Sequence, residues 1–223
     1  MEYAVDVAKE CHKLDIRTVA VTAGYVCEEP RAEFFRYMDA ANVDLKAFSE
    51  TFYSGICAGH LQPVLDTLIY LRRATDVWIE LTDLIIPTEN DSDDELDRMT
   101  RWVVDELGPD TPMHFTAFHP DWKMPDRPPT SLDALKRARD VAMKNGLRYV
   151  YTGNVHDPDS GSTYCHDCGR KLIGRDWYEL GEWNLDGEGK CTGCGTKCPG
   201  VFDGPAGKWG SRRQPVRIES YGA

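Results

Sequence analysis

Three observations predict an α/β chain: a parallel sheet with helices packed outside it, followed by a small four-cysteine module. Helix-like and strand-like patterns alternate strictly, which sets the strands side by side in parallel and puts the helices on the outside. The strands begin near residues 17, 43, 77, 113 and 147, about 30–35 residues apart, the size of one βα unit. Near the C-terminus, Cys165 and Cys168, then Cys191 and Cys194, form two Cys-x-x-Cys pairs, each followed by glycine.

Each element has its own local reason. Residues 2–14 read as an amphipathic helix with Tyr3, Val7, Cys11 and Leu14 as its apolar stripe. The β-branched run from Arg17 to Thr22 is a buried strand that turns at Gly24. A helix over 30–41 starts with Pro30 in its first turn, and a second strand covers 42–46. Ser49 caps a short helix to residue 58, and Leu61, Leu65, Leu68 and Leu71 line the next, over 61–74. The third strand starts at Val77 and extends toward Ile86. Ser92 and Glu95 form a capping box for a helix to Leu107, whose core stripe is Leu96, Met99, Val103 and Leu107. A strand over 112–118 ends at Pro120, and a helix from Thr130 or Ser131 stops at Asn145-Gly146. The fifth strand covers 147–151. Asp157 to Gly161 reads as a linker. The domains expected are therefore 1–155 for the α/β part, 156–202 for the cysteine module and 203–223 for a flexible, basic tail with Arg212 and Arg213. The chain opens on a helix with no strand before it, so either the sheet is an unusual partial one or preceding βα units are missing.

Composition narrows the class. The 223 residues are 41% hydrophobic, enough for a core, and the net charge of −11 with a pI near 5.0 speaks against a nucleic-acid surface. No apolar run approaches the ~20 residues of a membrane span. Met1-Glu2-Tyr3-Ala4 lacks the regions of a signal peptide, so a cytoplasmic location is expected by default. In that reducing compartment the eight cysteines favour metal over disulfides.

Cys165, Cys168, Cys191 and Cys194 are read as four thiolate ligands of one ion. Two thiolates two residues apart share an ion from a tight turn, and the following glycine lets the backbone take a positive φ. Zinc is the expected metal, a single iron the alternative, and a pair of disulfides a third reading that needs an oxidising compartment. Filling all four positions with protein makes the site structural. Cys198 either substitutes as a ligand or stays outside. Cys11, Cys27 and Cys57 lack metal-ligand spacing.

Other polar residues fall at strand ends, where parallel α/β folds place their sites. Asp44 and Lys46 lie on one face of their strand with Leu45 on the other. Two inward charges pair with each other or bind a polar ligand. His119 ends the fourth strand, as a ligand contact or a structural histidine, with His114 on the opposite face. Thr22-Ala23-Gly24 is a turn that lets backbone approach a ligand, or a plain strand–helix connection. Glu80 is an acid inside an apolar run and a second-rank polar candidate. The acids Asp91, Asp93, Asp94 and Glu95 read as a solvated helix N-terminus.

The stretches Val19–Val26, Val43–Phe48, Leu84–Ser92, His114–Pro120 and Tyr149–Val155, with both cysteine knuckles, together resemble radical SAM activating enzymes. More narrowly, they resemble the AmmeMemoRadiSam-system radical SAM enzymes, relatives of the pyruvate formate-lyase activating enzyme. The resemblance runs from about residue 2 to about residue 202. It implies a partial TIM-like barrel, a [4Fe-4S] cluster and S-adenosylmethionine, which the reduced cluster cleaves to a 5′-deoxyadenosyl radical. It also implies that Asp44, Lys46, His119, Thr22 and Gly24 contact S-adenosylmethionine. Ala23 departs from the family's Thr-Asn-Gly turn and loses a polar side chain.

A larger departure concerns the cluster. The family holds it with a Cys-x-x-x-Cys-x-x-Cys loop, which this chain lacks, along with the Gly-Gly-Glu-Pro turn that contacts the methionine amino group. The chain thus looks N-terminally truncated and inactive alone, or like one half of a split enzyme whose partner supplies the cluster. A rival from another class is a non-catalytic zinc-ribbon scaffold. A protein substrate is a further expected partner, since the substrate of activating enzymes is a glycyl-radical protein.

Overall fold

A computed structural model of the chain describes residues 1–202, and the tail expected to be flexible lies outside the described residues. The chain divides into two compact units, Met1–Val155 and the remainder from His156.

Unit 1 is a five-stranded, wholly parallel sheet in the order β1-β2-β3-β4-β5, so each strand pairs with its neighbour in sequence. The strands are β1 (Val19–Thr22), β2 (Ala40–Asp44), β3 (Trp78–Ile85), β4 (Met113–Ala117) and β5 (Val150–Gly153). Helix α1 (Glu2–Lys13) precedes β1, α2 (Glu28–Phe35) follows it, and α3 (Glu50–Phe52) runs into a π-helical turn over Tyr53–Cys57. Then come α4 (Gln62–Ala74), α5 (Asp93–Glu106) and α6 (Leu132–Lys144). Ser49, Ser92 and Ser131 each accept a hydrogen bond from the backbone N–H three residues on, at 3.1–3.3 Å, which fixes where their helices start.

One face of the sheet is sealed. Val43, Leu81, Ile85, Met113 and Phe115 are fully buried together with Leu68, Leu71, Leu96, Met99, Val103 and Leu135 from the helices. Alternation along the strands therefore sends Val19 and Val21, Asn42 and Asp44, Trp78, Glu80 and Thr82, His114 and Tyr151 to the opposite face. That face is polar toward β3–β5 and apolar at β1, where Val19 and Val21 are 62% and 81% exposed.

Several boundaries differ from expectation. Helix α2 stops at Phe35 rather than residue 41, because Asp39 hydrogen-bonds Thr18 through both its backbone and its carboxylate and so draws 39–41 into the sheet. The fifth strand is Val150–Gly153, not 147–151, since pairing of Val150 with Met113 sets its register. In α1 it is Val5 and Ala8 that are buried, while Tyr3, Val7 and Leu14 of the expected stripe are exposed. Asp157 to Gly161 is not a bare linker: Pro158–Gly161 forms a helical turn, α7. Glu95 does not close a capping box, nor is it solvated. It is buried, and its carboxylate accepts the Phe48 N–H at 2.7 Å.

Unit 2 is a three-stranded antiparallel sheet of β6 (Thr163–Tyr164), β7 (Lys171–Asp176) and β8 (Glu179–Trp183). Both cysteine knuckles lie in this unit.

Candidate functional site

Asp44 ends β2, and Lys46 follows two residues on. Alternation continues past the strand: Leu45 is fully buried, while Asp44 and Lys46 share the open face and pair at 2.8 Å. Both side chains are about one-third exposed, so the pair itself contributes at most about 1 kcal/mol to stability. The backbone beneath the pair is held far more firmly. The Lys46 N–H donates to the Tyr53 hydroxyl at 3.2 Å, and the Lys46 carbonyl accepts from Asn90 Nδ2 at 2.7 Å. Asn90 is fully buried, donates also to Leu84 O, and accepts the Ile86 N–H at 2.7 Å, so it staples the end of β2 to the end of β3.

Behind this staple lies Asp83, completely buried on the helix-packed face of β3. Its Oδ1 accepts from Asn90 Nδ2 at 3.1 Å, and its Oδ2 has no hydrogen-bond partner. Burial pushes its pKa well above the usual carboxylate range; the nearby Glu95 charge adds to the shift and Lys46 opposes it. Burial likewise raises the Tyr53 phenol.

Thr22 closes β1, and its hydroxyl accepts the Gly24 N–H at 3.1 Å. Gly24 has φ +65°, and a Cβ there would stand 2.8 Å from Val43 Cγ1. Its carbonyl accepts the buried Thr67 hydroxyl at 2.7 Å. The glycine thus permits a tight packing of the turn onto the core. His119 is exposed, two residues beyond β4. Thr22, Asp44, Lys46 and His119 sit at or just beyond the C-terminal ends of β1, β2 and β4, with β3 lying between β2 and β4. Open clefts lie elsewhere, one of about 450 Å³ beside Tyr25, Arg31 and Asp66, and one of about 300 Å³ at the opposite end of the sheet around Thr75, Val77 and Pro112.

In unit 2 the four expected cysteines converge, with every sulfur within 4.8 Å of the others. Each knuckle closes identically: Gly169 N–H bonds Cys165 O at 2.9 Å, and Gly195 N–H bonds Cys191 O at 2.8 Å. The two glycines have φ +73° and +79°. Sulfurs of Cys165 and Cys194 are 3.6 Å apart, those of Cys168 and Cys191 3.7 Å. One tetrahedral ion with metal–sulfur bonds of about 2.3 Å needs edges of about 3.8 Å, so the thiols fit a single ion. Hydrogen bonding with the Thr196 hydroxyl and backbone draws Cys194 down to about 7, which puts a thiolate at hand near neutrality. Cys198 is buried and is not part of the four-sulfur group.

No cluster loop is present in unit 1. Cys11 lies on α1, Cys27 caps α2 and Cys57 ends the π-helical turn, and among the described residues these three do not group. Among the described residues of unit 1, no three cysteines come together as a [4Fe-4S] cluster would require.

Similar structures identify the class of fold. A domain of the pyruvate-formate lyase-activating enzyme from Bacteroides vulgatus matches with a TM-score of 0.59 at 16% identity, covering 69% of this chain and 91% of that one. A radical SAM methyltransferase from Sphaerobacter thermophilus matches at 0.52 with 14% identity, covering 71% and 46%. The parallel α/β fold is therefore that of radical SAM and activating-enzyme structures. In sequence, the chain is 40% identical over 197 residues to an uncharacterised protein of Methanocaldococcus jannaschii, MJ0808, covering 88% of this chain. It spans 58% of the length of that relative. No protein-family model matches the chain.

Proposed function

We propose that unit 1 is the S-adenosylmethionine-binding face of a radical SAM protein of the activating-enzyme type, in the AmmeMemoRadiSam branch, and that this chain alone does not cleave the cofactor. The observation that carries the reading is the Asp44–Lys46 pair on the open sheet face, at the strand ends of a fold shared with such enzymes. Lys46 offers a cation for the carboxylate of the ligand. Asp44 and His119 offer acceptors for its ammonium, hydroxyl or adenine N–H groups. Thr22 and Gly24 supply a hydroxyl and closely approaching backbone at the next strand.

In such enzymes a reduced [4Fe-4S] cluster supplies the electron that splits the sulfonium. Its ligands come, in this reading, from polypeptide outside residues 1–223, continuing the sheet at β1. Support comes from the exposed apolar edge of Val19 and Val21, and from a relative much longer than this chain. We assign zinc to the four cysteines of unit 2, as a structural site with no open position, and the cytoplasm as the location, where thiols stay reduced.

Calorimetric titration with S-adenosylmethionine tests the reading. Binding is expected for the wild-type chain. It should weaken roughly tenfold, about 1.4 kcal/mol, in Asp44→Asn, Lys46→Met and His119→Gln, without change in melting temperature. Absence of binding, with one zinc per chain by elemental analysis, would leave the zinc-ribbon scaffold as the function.

A further inference from the structure

The cleft of about 450 Å³ opens on unit 1 between the β1–α2 connection and α4. Tyr25 and Cys27 line it from the connection, Glu28 and Arg31 from α2, Pro63 and Asp66 from α4. None of these residues is among those assigned to S-adenosylmethionine.

Arg31 is only 8% exposed, whereas Tyr25, Cys27, Glu28 and Asp66 around it are exposed. Its Nη1 donates to Asp66 O at 3.2 Å and its Nη2 to Val26 O at 3.1 Å. Its Nε is buried and has no hydrogen-bond partner. The Tyr70 ring centroid lies 5.9 Å from the guanidinium carbon. A neutral donor would serve both carbonyls. A guanidinium instead buries a full positive charge on the wall of the cleft, and both of its hydrogen-bond acceptors are uncharged. Such burial is costly unless an anion compensates it. Helix α2 adds to the attraction. Cys27 caps it without a side-chain hydrogen bond, so the N–H groups of its first turn, at the positive end of the helix dipole, receive no side-chain cap beside the cleft.

The charge of a fitting ligand follows from the inner and outer residues together. Buried Arg31 suits the paired oxygens of a carboxylate or a phosphate. Exposed Glu28 and Asp66 repel further negative charge and attract a cation. The Asp66 carboxylate accepts only the neutral Gln62 amide, at 2.8 Å, so its charge is not compensated there. A cation inside and acids outside favour a zwitterion over a phosphate dianion. Tyr25, Val26 and Pro63 give the cleft an apolar wall. We infer that this cleft is a binding site for an α-amino acid with an apolar side chain. Its carboxylate pairs with Arg31 and the first turn of α2, and its ammonium lies toward Glu28 and Asp66. The inference does not depend on S-adenosylmethionine binding at the strand ends.

The test is proton–nitrogen NMR of the full chain titrated with L-leucine, following the Arg31 Nε–H and the Cys27 and Glu28 amides. Isocaproate is leucine without its ammonium, and isoamylamine is leucine without its carboxylate. Both serve as controls, with inorganic phosphate. Leucine should shift these signals saturably. Isocaproate and phosphate should bind at least about fivefold more weakly, and isoamylamine should give no saturable shift. Arg31→Gln should weaken leucine binding at least about tenfold. Because Arg31 also ties the connection to α4, the exposed acids supply a test independent of folding. Glu28→Gln and Asp66→Asn should each weaken leucine about threefold, leave isocaproate no weaker, and keep the melting temperature unchanged. The inference would be overturned by the absence of a saturable leucine response, or by phosphate or isocaproate binding as tightly as leucine. Leucine affinity unchanged in both acid variants would overturn it as well. Asp44→Asn, which weakens S-adenosylmethionine, should leave leucine binding within about twofold, so failure of one reading is separable from failure of the other.

Discussion

Asp83 sits in the same strand parity as Ile79, Leu81 and Ile85, yet it is a carboxylic acid in a sealed core. Its folded pKa is raised, so the folded state holds the proton more tightly than the unfolded chain does. The stability this gives is complete below the unfolded value near 4, and is lost as pH rises toward and through the folded value. Asp83→Asn, which stays neutral, should therefore flatten stability against pH from about 4 upward and raise the melting temperature at pH 8. Parallel melting curves for mutant and wild type across that range would refute this. Gly24→Ala should cost about 1–3 kcal/mol in chemical denaturation, from the positive φ together with the clash on Val43. Asn90→Ala should cost about 2–3 kcal/mol by stranding the buried groups it bonds, and should weaken ligand binding at Lys46 by loosening its backbone. In the sequence of this strand Glu80 stands out and Asp83 does not, although Asp83 shares the parity of the buried Ile79, Leu81 and Ile85. The Asn90 staple was not legible either, because its partners are 44 residues away at Lys46 and nearby at Leu84 and Ile86, and only chain closure brings them together.

At the scale of elements, the two knuckles show how local sequence can be sufficient. Cys-x-x-Cys-Gly encodes its own turn, since the glycine takes the positive φ and its N–H closes back on the first cysteine. The paired spacing also predicts both turns at one site, and β6–β8 folding back on themselves is what brings them there. Because the site has four ligands and a small sheet around it, metal binding should supply much of the folding free energy of unit 2. Treatment with a strong zinc chelator should release one zinc and make residues 163–198 exchange amide hydrogens rapidly, with α4, α5 and the core strands of unit 1 still protected. Protection of unit 2 that survives complete metal removal would show that the ion is not structural. Cys191→Ser, which removes a buried ligand, should reproduce the chelated state.

For the whole molecule, the decisive feature is asymmetry between the two sheet faces. Helices cover one face completely, while the other carries polar residues at β2–β5 and bare valines at β1. Tyr3, Leu14 and Ile16 are exposed as well, and β1 is an edge strand that carries exposed valines, a feature of the sort that associates. Sedimentation should show concentration-dependent self-association of the chain, and Val21→Lys should suppress it without lowering the melting temperature. A monomer at all concentrations would remove the support that this edge lends to an added sheet portion.

The order of elements, the parallel sheet, the inward-facing leucines and the four thiols were determined by sequence alone, because each depends on local periodicity or spacing that survives in one dimension. Tertiary structure alone decided which face of α1 is buried, where α2 ends, and that Glu95 and Asn90 serve the backbone beside Lys46. It also brought Glu80 and His114 together 34 positions apart. Each of these depends on register between strands distant in sequence, and register is a property of the packed sheet, not of any one segment.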